Sequence, residues 1–358
     1  MDLLSAVWME RSLNQSISAL HVDAEGGILA GGWDGALKRW NAAGDVLWAA
    51  SLPDRITTIV VHGERILATS GLHIVCVEHH SGQLVWSHPL EGSADALIVV
   101  EDAVYAVSSV YDIEHNDFIE SAVWKYSLLG ELEWTIRMDE RPWVLVEHAR
   151  LPWIGLGRPK CGFSSIEENG ELTHHNSQAD SPITCGTPAL GSLLFGHADG
   201  TISDLKGSSL VKQTDAVESL SPLGDGFVTA LENGTLTACN GSGEERWNSK
   251  GDPISTQSPG FHIGDEQTHW VARGAGQTDT IEMRQASKGV VLASSEIQSV
   301  TSMAYNSNHR FAVGCDDGRL VVWDSAMLER RMNDSSSATA SQPKKSALQE
   351  KLRALRDR

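Results

Sequence analysis

The chain repeats one short phrase: a glycine turn, an alternating apolar stretch and, in most copies, a tryptophan. It reads Ala43-Gly44-Asp45-Val46-Leu47-Trp48, Ser81-Gly82-Gln83-Leu84-Val85-Trp86, Leu129-Gly130-Glu131-Leu132-Glu133-Trp134 and Ser242-Gly243-Glu244-Glu245-Arg246-Trp247. It returns without the tryptophan as Asn169-Gly170-Glu171-Leu172, Lys206-Gly207-Ser208-Ser209-Leu210 and Lys288-Gly289-Val290-Val291-Leu292. The turn glycines are spaced by 38, 48, 40, 37, 36 and 46 residues. A period near forty filled with short strands is the signature of propeller blades, each a four-stranded antiparallel meander around a central channel.

Within one period the strands can be read in order. Ile17 to Val22, Gly27 to Gly31, Ala36 to Trp40 and Val46 to Ala49 alternate as strands a, b, c and d, with Trp33-Asp34-Gly35 as the b–c turn. Asp-Gly and Asn-Gly pairs suit such hairpins, because the central positions need or tolerate positive φ. The turn recurs as Asp199-Gly200, Asn233-Gly234 and Asp317-Gly318. These anchors give blades near 17–53, 56–92, 94–140, 142–180, 182–216, 217–252, 253–298 and 300–332. The expected fold is all-β: a single closed propeller of eight four-stranded blades over 1–332, or seven if blades four and five form one irregular unit. Residues 5–13 resemble the outer strands without a, b or c strands before them. They are expected to close the last blade beside Leu320 to Trp323, with Trp8 in register, so that no sheet edge stays open. The competing closure uses Met327 to Arg330 as that outer strand.

The Gly-x-Leu-x-Trp phrase resembles the repeats of quinoprotein-like (PQQ-type) propellers, which implies that the outer-strand Trp docks onto the neighbouring blade. Gly314-Cys315-Asp316-Asp317-Gly318-Arg319-Leu320-Val321-Val322-Trp323-Asp324 resembles the end of a WD repeat. The resemblance covers residues 5–332 at the level of fold. A quinone-dependent dehydrogenase on this scaffold would carry acidic and amide metal ligands, a catalytic Asp and commonly an adjacent Cys-Cys pair. The sequence has no adjacent cysteines and no such cluster, so the repeat resembles that family while the site does not. Trp48, Trp86, Trp134 and Trp247 share one repeat position and, with Trp8 and Trp323, are assigned to packing. Trp143, Trp153 and Trp270 fall outside that register.

Composition narrows the class further. The five cysteines (Cys76, Cys161, Cys185, Cys239, Cys315) are odd in number and scattered, which suits reduced thiols in the cytoplasm. No signal peptide or spanning segment is recognised. The net charge is −19, and residues 334–358 carry six basic groups against three acids, leaving −22 on the rest. Such a body disfavours nucleic acid as a partner.

Little in the sequence points to chemistry. No Gly-x-Ser-x-Gly elbow or phosphate-binding glycine loop occurs. His79-His80 and His174-His175 supply at most one ligand each, because neighbouring strand residues face opposite ways. No catalytic, cofactor or metal residues are assigned. The candidate partner-binding residues lie in two places. Tyr111, Asp112, Glu114, His115, Asp117 and Phe118 sit in a blade-three b–c loop that is longer than its counterparts. Its acids could chelate a hard cation, but the loop lacks the spacing of an EF-hand. Residues 333–345 read as a flexible linker, and 346–358 as a short amphipathic helix with Leu348, Leu352 and Leu355 on one stripe beside Arg353 and Arg356. The sequence therefore predicts a non-catalytic, cytoplasmic protein–protein interaction scaffold, a monomeric propeller within a complex, whose face and tail helix each hold a partner. The alternative is a small-ligand or enzymatic propeller, quinone-dependent or metal-dependent and lactonase-like, working through the channel.

Overall fold

Each repeat closes into its own sheet because its strands are short, its turns tight and its side chains alternate. The computed structural model describes residues 1–114, 116–306 and 309–334. It contains eight four-stranded antiparallel sheets, seven of them built from four consecutive strands. Blade one, for example, consists of Ile17–Val22, Ile28–Gly32, Ala36–Trp40 and Val46–Ser51. The first strands of the blades begin at Ile17, Ile56, Ser93, Pro142, Ile183, Val217, Ile254 and Val300. Each packs against the first strand of the next blade, and the last packs against the first. The ring is closed with eight blades.

Closure uses the N-terminus. Met9–Ser12 pairs antiparallel with Arg319–Asp324, Met9 lying opposite Val322, and the Trp8 N–H donates to the Val322 carbonyl at 2.9 Å. The strand is shorter than residues 5–13, since Leu4–Ala6 forms a 3₁₀ turn. Ahead of it, Leu3 is fully buried and its carbonyl accepts the Trp323 indole N–H at 2.9 Å. Residues 325–334 form a helix rather than an outer strand; Asp324 caps it through the Met327 N–H, and Leu328 is buried in the core between blades seven and eight. The sequence-predicted linker and amphipathic helix lie outside the described residues, apart from the end of this helix.

The repeated phrase has a physical cause. The indoles of Trp48, Trp86, Trp134 and Trp247 donate to the carbonyls of His79, Leu128, Glu168 and Ala286, each in the c–d turn of the next blade. Two or three residues on stand Gly82, Gly130, Gly170 and Gly289, all at positive φ. A Cβ on Gly82 would lie 2.5 Å from the Trp48 ring, and one on Gly289 2.5 Å from Trp247. The glycine is the floor on which the preceding blade's tryptophan rests. At the seam, Gly44 faces Met9 instead, so Met9 occupies the docking position while Trp8 is covered by Arg310, 3.5 Å from its ring.

A second interlock works nearer the axis. Ser18, Thr184 and Thr301 each follow the aliphatic residue that opens strand a. Each hydroxyl donates to a glycine carbonyl in its own blade, at Gly31, Gly196 and Gly314 respectively. The same proton is shared with the carbonyl of the first residue of the next blade, at Ile56, Val217 and Ile17, the nearer acceptor in each case. In blade seven a carboxylate does this work: Asp279, almost fully buried, accepts from Ser255 Oγ at 2.7 Å and from the Val300 N–H at 2.9 Å.

Candidate interaction face

All b–c turns emerge on one face of the ring, and blade three breaks the pattern there. Its middle strands, Ala103–Asp112 and Asp117–Ser127, hold 10 and 11 residues, against 5 for each middle strand of blade one. The expected long loop is therefore a projecting hairpin that stays paired almost to its tip, with Tyr111 opposite Phe118 and Asp112 opposite Asp117. The Tyr111 hydroxyl donates to Asn116 Oδ1 at 2.6 Å, and its ring meets Phe118 edge-on at 5.1 Å. Asp112 accepts the Glu114 N–H at 2.7 Å, and Asp117 accepts that of Phe118 at 2.8 Å, so both carboxylates shape the turn. His115 lies outside the described residues, as do Leu348, Leu352, Arg353, Leu355 and Arg356.

The hairpin meets the next blade through a cluster of Phe118, Arg141 and Trp143. The Arg141 guanidinium lies 3.6 Å from the Phe118 ring centre and 3.9 Å from that of Trp143. Its outer nitrogen is 3.6 Å from Asp95, whose carboxylate also accepts from Ser93 and Ser109. Burial works against the charge on Arg141 and Asp95 works for it. Phe118 and Trp143 themselves meet edge-on at 6.3 Å, and the guanidinium in their corner is held by both ring quadrupoles, which offsets part of the cost of its burial. Beside the stack is a cleft of about 570 Å³ lined by Asp117, Asp139, Trp143, Arg158, Pro159 and Pro182 among others. Arg141 and Trp143 escape a sequence reading because their partner is 23 or more residues away; the only signal is a tryptophan outside the docking register.

Elsewhere the polar groups are spent on the blades themselves. His197 is fully buried between the Ser181 carbonyl, at 3.1 Å, and Ser203 Oγ, at 2.8 Å; burial keeps it below its ordinary range. In blade seven Glu282 lies between Arg273, at 3.5 Å, and Arg284, at 2.6 Å. Both arginines reach across to blade six, at the Gly234 carbonyl and Ser249 Oγ. Glu64 of the a–b turn and Glu78 and His80 at the c–d turn of blade two bring potential metal-ligating atoms within 4.8 Å of one another. There Glu78 already accepts the N–H groups of His80 and Ser81. The five cysteines are free thiols, and burial raises Cys315 and Cys185 to about 12. Trp270 is fully buried, Trp153 stacks on His175, and Trp143 alone of the three out-of-register tryptophans is half exposed.

Comparisons with known proteins agree with this architecture. Residues 292–324 match the family model "WD domain, G-beta repeat", a span that joins the outer strand of blade seven to the first three strands of blade eight. The repeat is thus offset by one strand from the blade, which is why the N-terminus must supply the missing outer strand. No curated protein matches the sequence. Among solved structures, the chain is similar to BamB from Moraxella catarrhalis (TM-score 0.71, 14% identity, 89% of this chain and 97% of that one). It is similar also to Saccharomyces cerevisiae Sqt1 (TM-score 0.71, 11% identity, 89% and 98%). The computationally designed Ika8 protein gives a TM-score of 0.69 at 17% identity, over 88% and 98%. At these identities the likeness is one of fold. The chain is an eight-bladed β-propeller repeat protein whose residues 292–324 match a WD repeat.

Proposed function

We propose that the protein is a non-catalytic interaction scaffold, acting in the cytoplasm as a monomeric propeller within a complex. The b–c face, centred on the blade-three hairpin, takes one protein partner, and the C-terminal segment takes another. The observation that carries this reading is the Phe118–Arg141–Trp143 cluster, which ties a projecting hairpin to blade four beside an open cleft. A projection tethered by side-chain contacts and bearing exposed aromatic anchors has less freedom to lose on binding than an untethered loop. Topology supports the division of labour. Strand c of blade eight runs away from the b–c face, so the helix at 325–334 starts from the opposite side of the ring. Two partners could therefore be held without competing for space.

The test is affinity capture from cells with three proteins: wild type, one with residues 111–118 replaced by an Asp-Gly turn, and one carrying Leu352→Ala and Leu355→Ala. The replaced hairpin should lose one set of partners and the leucine variant another, with unchanged melting temperatures. Identical partners from all three folded proteins would overturn the reading.

A further inference from the structure

We propose that the b–c face carries an apolar crescent over blades one to four that receives a cationic amphipathic segment of a partner protein. This rests on the scaffold reading and adds the extent of the surface and the chemistry of its ligand. Among the described residues, the exposed large apolar side chains on that face are Trp33, Leu72, Tyr111, Ile113, Ile119 and Trp143. All belong to turns, or to strand ends beside them, in blades one to four; the matching b–c turns of blades five, six and eight present Asp199, Asn233 and Asp317. Single exposed hydrophobes are ordinary, but six confined to half of one face are the uneven distribution expected of an interface.

Two anchors are fixed in place. Trp33, 51% exposed, is backed by Arg55 at 3.8 Å, and Trp143, 50% exposed, by Arg141 at 3.9 Å. Both guanidinium groups keep their charge in these contacts, whereas Arg137 is paired with Glu91 through two hydrogen bonds, the shorter 2.5 Å. Acids outnumber bases on this half of the face: Asp34, Asp54, Glu114, Asp117, Asp139, Glu140 and Asp180 stand against Arg55, Arg141 and the blade-four turn's Arg158 and Lys160. Polyanions are repelled from such a surface. A segment with an apolar stripe and Lys or Arg beside it satisfies both features, its stripe on the tryptophans and its cations on the acidic rim.

The experiment uses the full chain and two fluorescein-labelled probes of about fourteen residues, long enough for roughly four helical turns. One is a Leu/Lys peptide with leucines at helical spacing and the other its Leu/Glu counterpart. Binding is read by polarisation at physiological salt, for wild type and for Trp33→Ser/Leu72→Ser, which keeps every charge and leaves the hairpin intact. The Leu/Lys peptide should bind wild type and lose about tenfold in affinity with the variant, while the Leu/Glu peptide stays unbound. Equal affinity for the variant would mean that charge alone holds the peptide, and would overturn the crescent, as would absent binding to wild type. Leu72→Ser alone, a change at an exposed turn, should give a loss of severalfold and serves if the double variant melts early. Should hairpin replacement remove a cellular partner that the double variant retains, the crescent falls while the scaffold stands.

Discussion

At the residue scale, the tryptophan of one blade and the glycine of the next form a single unit. Gly289 sits at φ +69° under the Trp247 ring, so a methyl group there meets both steric overlap and an unfavourable backbone. Gly289→Ala should cost at least about 2 kcal/mol by these two effects. Trp247→Ala removes the ring and its bond to Ala286, and should cost about 3–5 kcal/mol. Urea unfolding of both variants checks this, and a cost under about 0.5 kcal/mol for either would contradict the docking account. This unit was legible because its two halves fall in one repeated phrase. The hydroxyl clamp of Ser18, Thr184 and Thr301 was not, since a Ser or Thr after an aliphatic residue is common and its acceptors lie in other strands. The Arg273–Glu282–Arg284 group was equally silent, although removing Glu282 would leave two largely buried cations facing each other.

At the element scale, ring closure and the blade-three hairpin show what periodicity can and cannot deliver. Residues 5–13 echo the outer strands, and that was enough to place the N-terminus beside Arg319–Asp324. The echo overstated the strand, because the 3₁₀ turn at Leu4–Ala6 instead directs Leu3 into the core. Deleting residues 1–13 removes the buried Leu3, Met9 and Leu13 as well as a paired edge, and should cost on the order of 5 kcal/mol. An unchanged melting temperature would contradict it. The hairpin was visible as extra length, but its pairing and its lock on blade four depend on contacts with Arg141 and Trp143. Blade seven adds a pH dependence. His269 is fully buried, and burial, with Arg284 beside it, pushes its imidazole down from 6.5 to about 3. The unfolded chain takes up this proton near pH 6.5, so between pH 6.5 and about 3 the unfolded state binds more protons than the folded one. The contribution is complete above pH 6.5 and lost as pH falls, at about 1.4 kcal/mol per pH unit. His269→Gln should flatten the decline in urea midpoint between pH 6.5 and 5; an equally steep decline would assign it to other groups.

At the scale of the whole molecule, the ring gives eight near-equivalent blades and the sequence then makes them unequal on one face. The regular part, strand order and a ring of eight or seven blades, could be read from spacing and turns, and the structure fixes the number at eight. The interaction face could be read only in part, because Trp33, Leu72 and Trp143 share a face through the topology of the blades and not through any local pattern. The central claim is that this face is where a protein partner sits, and hydrogen–deuterium exchange of the purified complex against the free protein tests it most directly. Protection should appear at residues 111–119 and 139–143 and extend to the turns at Trp33 and Leu72. Protection confined to the opposite face, or to the turns of blades five to eight, would contradict the account.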